Sequence, residues 1–343
     1  MIRVVFLLVV LLCGGCRPGG AMPGDRTTAS AGLPEEADKC GSVVPVHEVS
    51  LPPPWGRSEV EFSAGAQSGR EVVLLPQYPR EGALVVTAEV SEEAMEEAGF
   101  RLISVEDGGL PGLIEGYDGF EALAIEGDEF FAAIEAREVT GTMAWLVRGQ
   151  VMRDEGHRIM GLRVDGNLRT RLVPSRVAPN RSFEALLLRE GEVLALPEMS
   201  QDGEAIVLSR VDLRVLRRIR APDLPWRVTD ATPLGADGTF TVVNYLWRGD
   251  RDLAREHDPF APSGCKRPEG TRGGRERLVH LRLRGDRFET LPVSPLRLAP
   301  GGEGDRNWEG IARLDRGYLV VTDRYPRTIL ARISDQPPAV RPD

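Results

Sequence analysis

EGIARLDRGYLVVTD, residues 309–323, starts on an acid, runs through a short apolar stretch, turns at Asp315-Arg316-Gly317 and ends a second apolar stretch on Asp323. Apolar runs rich in branched and aromatic residues on either side of a Gly/Asp turn read as strand, turn, strand. The phrase recurs as EFSAGAQSGREVVLLPQ from Glu61, EALAIEGDEFFAAIE from Glu121, EALLLREGEVLALPE from Glu184 and DATPLGADGTFTVVN from Asp230. In four copies 14 residues separate the acid from the final polar residue; in the first copy it is 16, the extra falling in the turn. Phe120, Phe183 and Trp308 precede the acid in three copies. The acids are spaced by 60, 63, 46 and 79 residues, intervals of the size of a β-propeller blade.

The sequence around these copies agrees. Helix-periodic segments are scarce, Glu92 to Glu97 being the one helix-like patch, while short apolar runs begin at Ala83, Ala205 and Leu278. The fold class expected is all-β, a β-propeller. After Glu309 only two or three strands fit before the chain ends, the last at Thr328–Ile333, and VVPVHEV from Val43 supplies the missing outer strand. Joining both ends of the chain in one blade closes the ring and removes an exposed edge. Five four-stranded blades are expected. Six remains open, because the 79-residue interval has room for a degenerate blade; the alternative is that Gly249–Gly274, polar and without strand pattern, is an insertion between the second and third strands of its blade.

Composition narrows the function. The chain has 343 residues, 43 basic against 52 acidic, and a formal charge of −9. That balance argues against a nucleic-acid partner, which selects for a basic face, and 41% hydrophobic residues exclude a disordered chain. Met1 to Cys16 (MIRVVFLLVVLLCGGC) has one charge, an apolar run too short to span a bilayer and a small-residue end, the pattern of an export signal. Cys13-Gly14-Gly15-Cys16 resembles the bacterial lipoprotein box, with Cys13 where that family has leucine. The resemblance implies lipidation of Cys16 and an envelope-anchored protein touching the membrane only through its lipid; ordinary secretion is the alternative. The domain reading is therefore signal 1–15, flexible Gly/Pro/Ala/Ser-rich tether 16–42, propeller 43–338 with the 249–274 insertion, and tail 339–343. Cys40 and Cys265 are left in an oxidising compartment. Cys40 precedes an outer strand at one face and Cys265 hangs at the other, so no bridge is expected unless the insertion folds down the side.

The first strand of each propeller blade lines the central axis, so the repeat places Glu61, Glu121, Glu184, Asp230 and Glu309 around one opening. Like charges this close raise one another's pKa values. A hard cation held by oxygen atoms relieves them, and calcium accepts irregular oxygen shells better than magnesium. The other reading is that the acids cap turns or accept backbone N–H bonds between blades. The second strand returns to the same face and builds an outer ring of Gln77, Glu135, Glu198, Asn244 and Asp323, with Arg137, Arg248 and Arg324 and with Tyr78, Trp247 and Tyr325 nearby. The insertion, with His257, hangs over this face as a lid or as a plain loop.

Asn307-Trp308-Glu309-Gly310-Ile311-Ala312 carries a family resemblance. It matches the N-x-E-G-[LI]-A phrase of phytase-like, esterase-like propeller proteins of bacterial envelopes; Ser182-Phe183-Glu184-Ala185 and Gly119-Phe120-Glu121-Ala122 match in part, and LPQYP at Leu75–Pro79 looks like that family's first blade. More distantly the acid ring is similar to that of calcium-activated apyrases, with Asp230 departing from the small hydroxyl expected there. The resemblance implies a calcium-dependent hydrolase of phosphate esters or anhydrides, calcium on the inner acids, a small phosphorylated ligand held by Arg137 and Arg324, and Glu135, Glu198 or Asp323 positioning water. A non-catalytic propeller holding a glycan, peptide or protein is the alternative; in either case a monomer is expected. No G-x-S-x-G, GxxxxGK[ST] or G-x-G-x-x-G occurs, which leaves a serine-esterase mechanism without its nucleophile.

Overall fold

The structure, a computed structural model, describes residues 43–56, 60–87, 99–175, 181–201, 203–247, 250, 259–260, 275–300, 306–323 and 327–334. Arg248, His257, Arg324, Tyr325, the cysteines at 16, 40 and 265 and the helix-like patch at 92–97 lie outside the described residues.

The chain opens with β1 (Val43–Val44) and β2 (Val46–Val49). Blade 1 is then β3 (Phe62–Ser68), β4 (Glu71–Pro76), β5 (Ala83–Thr87) and β6 (Arg101–Glu106). A single helical turn, α1 (Leu110–Leu113), leads to blade 2: β7 (Tyr117–Glu126), β8 (Glu129–Glu138), β9 (Gly141–Arg153) and β10 (Ile159–Leu172). Blade 3 is β11 (Phe183–Arg189), β12 (Glu192–Pro197), β13 (Glu204–Ser209) and β14 (Val215–Arg220). Blade 4 is β15 (Arg227–Ala231), β16 (Thr239–Leu246), β17 (Arg275–Arg284), β18 (Arg287–Thr290) and β19 (Leu296–Leu298). Blade 5 is β20 (Trp308–Leu314), β21 (Gly317–Thr322) and β22 (Leu330–Ile333).

Within blades 1, 2, 3 and 5 the strands run as an antiparallel meander, in blade 4 both β18 and β19 pair with β17, and every repeat copy forms the first hairpin of its blade. The ring closes as the strand deficit requires: β2 pairs antiparallel with β22, Val46 opposite Ile333 and Val49 opposite Leu330. The expected single strand Val43–Val49 is cut in two, however. Pro45 has no N–H to give to a ladder, and ahead of it Val43 and Val44 pair in parallel with Arg297 and Leu298 of blade 4. One segment thus covers the outer edges of two blades. Among the described residues the 79-residue interval holds one blade with extra outer strands; between β16 and β17 most of the expected insertion, 251–258 and 261–274, lies outside the described residues. Blades 1 and 2 are also joined at their rims, where β6 and β10 pair in parallel from Ser104–Gly161 onward.

The strands are buried on both faces, which is why they read as continuous apolar runs. Side chains alternate along a strand, so β12 sends Leu194 and Leu196 into the seam with blade 4 and Val193 and Ala195 into the seam with blade 2. Each of the five seams has its own cluster, including the closing one between Phe62, Val72 and Leu74 of blade 1 and Leu319, Val321 and Leu330 of blade 5. At the axis the inner strands of blades 5 and 1 nearly touch. A Cβ on Gly310 would stand 2.9 Å from the Gly65 nitrogen, so the glycine of the Glu-Gly phrase is a requirement of packing.

Candidate functional site: an acid-lined mouth

Three of the five inner acids share one mouth of the channel. Glu121, Glu184 and Glu309 start from β7, β11 and β20, where the pairing with the second strand is locally irregular just at or beside the acid. Such bulges redirect side chains. The ends of the second strands add Glu135, Glu198 and Asp323. Burial pushes the Glu121 carboxyl well above the ordinary range, and the charges of Glu135, Glu309, Glu198 and Asp118 push it further. Glu184 is raised first by burial and then by Glu198, Glu309 and Glu121, with Arg227 opposing. Burial also raises Glu309, helped by Asp323 and Glu198. Glu135 is pushed up to about 7 by burial, by the charge of Asp118 and by that of Glu198, against the pull of Arg137.

The partners divide the mouth into pairs. Asp118 faces Glu135; its Oδ1 accepts from Tyr78 Oη at 2.7 Å, and its Oδ2 is ion-paired with Arg137, whose Nε lies 3.9 Å from Glu135 Oε1. Glu184 faces Glu198. Glu198 is 1% exposed; its Oε1 accepts from Arg227, which also donates to Asp250. Burial raises Glu198 as well, but Arg227 and a hydrogen bond with Glu184 pull it back. Glu309 and Asp323 are bridged by Asn307, whose Nδ2 donates to both carboxylates, at 3.0 Å to Asp323. Gln77 Nε2 donates to Glu121 Oε1 at 2.7 Å.

Two inner positions and one outer position depart from this arrangement. Asp230 lies at the axis, 1% exposed, with three backbone donors: Gly65 N at 3.1 Å, Ile311 N at 2.8 Å and Ala231 N at 2.8 Å. This is the backbone-acceptor role, tying blades 5, 4 and 1 together. Burial pushes its pKa up, while three donors and no acceptor favour the carboxylate. Glu61 stands beside Tyr78, whose hydroxyl it helps to hold protonated. Asn244, fully buried, donates to the Trp226 and Arg227 carbonyls at 3.0 Å each and accepts from Arg277 Nε at 2.8 Å. It holds Arg227 in place rather than facing a ligand.

The sequence reading did not single out Asp118 or Arg227, and named Asn307 only as the start of the N-x-E-G-[LI]-A phrase. Asp118, Arg181, Arg227 and Arg306 all lie three residues before the acid of their repeat, a recurring charged position that was there to be found. For a metal, the donor chemistry is that of a hard cation, all carboxylate oxygen. Among the described residues, however, no three His, Cys, Asp or Glu side chains converge as a ready ligand set.

No protein-family model and no curated protein matches the chain. Solved structures resemble it in outline. A structure from the GH130 family of mannoside phosphorylases, which contains glycoside hydrolases targeting β-1,2 mannosidic linkages, matches at TM-score 0.48 and 11% identity over 90% of this chain and 99% of its own. An exo-1,5-α-L-arabinanase from a bovine ruminal metagenomic library matches at 0.44 and 7%, over 83% and 95%. A glucose dehydrogenase matches at 0.42 and 13%, over 85% and 99%. Activities that differ this much at such low identity assign none to this chain.

Proposed function

We propose that the chain is a hydrolase whose working groups are the carboxyl pairs of the acid-lined mouth, with Glu135 as proton donor. Glu135 carries the proposal: a buried carboxyl with a pKa of about 7, in hydrogen-bonding reach of a second carboxylate and beside the exposed Arg137. A group that titrates near neutrality gives and takes a proton at little cost, and perturbed carboxyls in a concave mouth mark functional sites. The Glu184–Glu198 pair supplies the complementary state, since Arg227 favours the ionised form of Glu198 while Glu184 is pushed towards the acid form. Carboxyl pairs held in different protonation states are the arrangement of acid and base catalysis. The surrounding charge selects a neutral substrate. Arg227 is already paired with Glu198 and Asp250, and Arg137 with Asp118, so a phosphate dianion would meet acids with no free cation among the described groups of the mouth. Hydrolysis of chromogenic glycosides and carboxyl esters, measured from pH 4 to 9, tests this. The rate should fall as pH rises through about 7, and Glu135→Gln should lower kcat by about 10²–10⁴. No turnover of any neutral substrate overturns the reading.

A second reading keeps the phytase-like phrase at Asn307–Ala312: a calcium ion among Glu121, Glu184 and Glu309, and a phosphate ester as substrate. The mutual repulsion of Glu121 and Glu184 with Glu309 and Glu198 favours it. When bound, the ion would neutralise the acids and polarise a phosphoryl oxygen. Chelation should then lower Tm and calcium should restore it, by about 2.7 kcal/mol at 100 times Kd. A Tm indifferent to both removes this reading and leaves the first. Calcium rescue without turnover of any ester would make the propeller a binding module. Anchoring through Cys16 in the cell envelope belongs to both readings, and mass spectrometry of the membrane-extracted chain tests it.

A further inference from the structure

The first strand of blade 2 carries an extra residue shortly before its acid. Tyr117 pairs with Ala136 and Gly119 with Glu135, so Asp118 has no opposite number on β8. A bulge of this kind turns a side chain to a new direction. Here the bulge is fastened to blade 1. Gln77, just past β4, donates from Nε2 to the Asp118 carbonyl at 2.9 Å, and its own carbonyl accepts from Phe120 N at 2.9 Å. Gly119, at φ +105°, permits the approach, since a Cβ there would stand 2.6 Å from the Gln77 carbonyl oxygen.

The Asp118 carboxyl set in place by this backbone gathers the donors. Its Oδ1 accepts from Tyr78 Oη at 2.7 Å, and its Oδ2 is ion-paired with Arg137. Glu135 Oε1 lies 3.9 Å from Arg137 Nε, beyond hydrogen-bond distance, and Glu135 bonds instead to Asp118. Two carboxyls that share a hydrogen bond need one proton between them, and a carboxyl already accepting from other groups takes the acceptor's part. Glu135 is therefore the donor of the pair. Glu121 on β7 and Glu198 on β12 also face Glu135 and oppose its charge. Glu121 accepts from Gln77, however, and Glu198 from Arg227. The direction of the Glu135 O–H is left to Asp118.

We propose that Asp118 is a positioning residue of the mouth: fastened by Tyr78 from blade 1 and by Arg137, it takes the Glu135 O–H as a further partner and fixes where that proton points. The role rests on the reading of Glu135 as proton donor, and Asp118 acts through Glu135. Carboxyl-edited NMR of the full chain with isotope-labelled glutamate, titrated from pH 4 to 9 in the presence of chelator, follows Glu135 directly; its signal is the one lost in Glu135→Gln. Asp118→Asn removes a neighbouring charge and offers an amide donor in place of an acceptor. The Glu135 midpoint should then fall from about 7 towards the ordinary 4.5, by at least about one pH unit. Tyr78→Phe keeps the ring but removes a donor that steadies the negative pair, so the midpoint should rise, by about 0.5 pH unit. A mouth that is only loosened would not move the two in opposite directions. In turnover the alkaline limb of kcat should follow each midpoint. A midpoint unmoved by Asp118→Asn, or moved the same way by both exchanges, overturns the positioning role. Should Asp118→Asn fail to fold, a midpoint that stays or falls in Tyr78→Phe overturns it alone. The two readings fail separately. Midpoints that move as expected in a chain that hydrolyses nothing retire the hydrolase and keep the Asp118–Glu135 pair. Turnover that is lost in Glu135→Gln, with an alkaline limb indifferent to Asp118→Asn, keeps the hydrolase and retires the positioning role.

Discussion

Blades 3 and 4 carry the same phrase at the same height of the ring, yet their acids meet different partners. In blade 4, Asp230 collects three backbone N–H donors and Asn244 is spent on two carbonyls and an arginine. In blade 3, Glu184 and Glu198 face each other, and Arg227 is borrowed from the neighbouring blade. Burial does not separate them, since Glu198 and Asp230 are both 1% exposed. The supply of donors does. A carboxylate saturated by N–H groups is a fixed strut, whereas carboxyls short of donors must share protons or find a ligand.

Asp230→Ala should give the largest effect. It strands three buried N–H groups on blades 5, 4 and 1, at about 1–3 kcal/mol each, in a fold whose total stability is on the order of 5–15 kcal/mol. Urea unfolding should lose at least about 3 kcal/mol by that count. A loss below about 1 kcal/mol would break the comparison, because Asp230 would then be no more structural than a surface acid.

Arg227→Leu comes next. Removing it leaves Glu198 and Asp250 buried without their shared cation, and breaking a buried pair from one side costs about 3–5 kcal/mol when the remaining charge has no escape. Here there is an escape, since Glu198 can take up a proton. The loss should therefore be smaller at pH 5 than at pH 8, and an equal loss at both would show that Arg227 acts by packing alone.

The division between strut and chemical group also marks what could be read from the sequence. The hairpins and the closing strand were legible because each is a matter of period and apolar run. EALLLREGEVLALP looks like two strands whatever surrounds it. The ring of acids was legible as positions. Their roles were not, because the donors that distinguish Asp230 from Glu184 are the backbone of Gly65 and Ile311, 165 and 81 residues away in the chain. The split at Pro45 was visible as a proline, but its consequence depends on where the edge of blade 4 lies. Arg227, three residues ahead of Asp230, belongs by sequence to blade 4 and by contact to the acids of blade 3.

The pH dependence of stability sharpens the contrast at a smaller scale. Glu135 has a folded pKa of about 7 against an ordinary 4.5. A carboxyl raised in this way contributes its full stabilisation below about pH 4.5 and loses it as pH climbs through about 7, because the unfolded chain gives up its proton first. At about 1.4 kcal/mol per unit, Glu135 accounts for roughly 3–4 kcal/mol at most, and Glu121, Glu184 and Glu309 act in the same direction. Tm should fall between pH 5 and pH 8.5, with Glu135→Gln flattening the slope. A Tm that rises across this interval would mean the mouth acids are ionised from the start, as Asp230 is taken to be.

The smallest effect should come from Glu184→Gln. Glutamine has the shape of the protonated acid and carries no charge, so at pH 5, where Glu184 is held in its acid form by burial and by Glu198, the exchange should change stability by less than about 0.5 kcal/mol. At pH 8 the wild-type chain is under pressure to ionise this carboxyl among Glu198, Glu309 and Glu121, and the variant is not; it should be the more stable of the two, by about 1 kcal/mol. Asp230→Asn behaves oppositely on the same argument. Its amide presents a donor where a backbone N–H now points at an oxygen, so it should destabilise at both pH values. Measured side by side, the two substitutions ask one question of two equally conservative exchanges. If both destabilise equally at pH 8, the acids of blades 3 and 4 do the same work, and the mouth has lost the feature that makes it a candidate site.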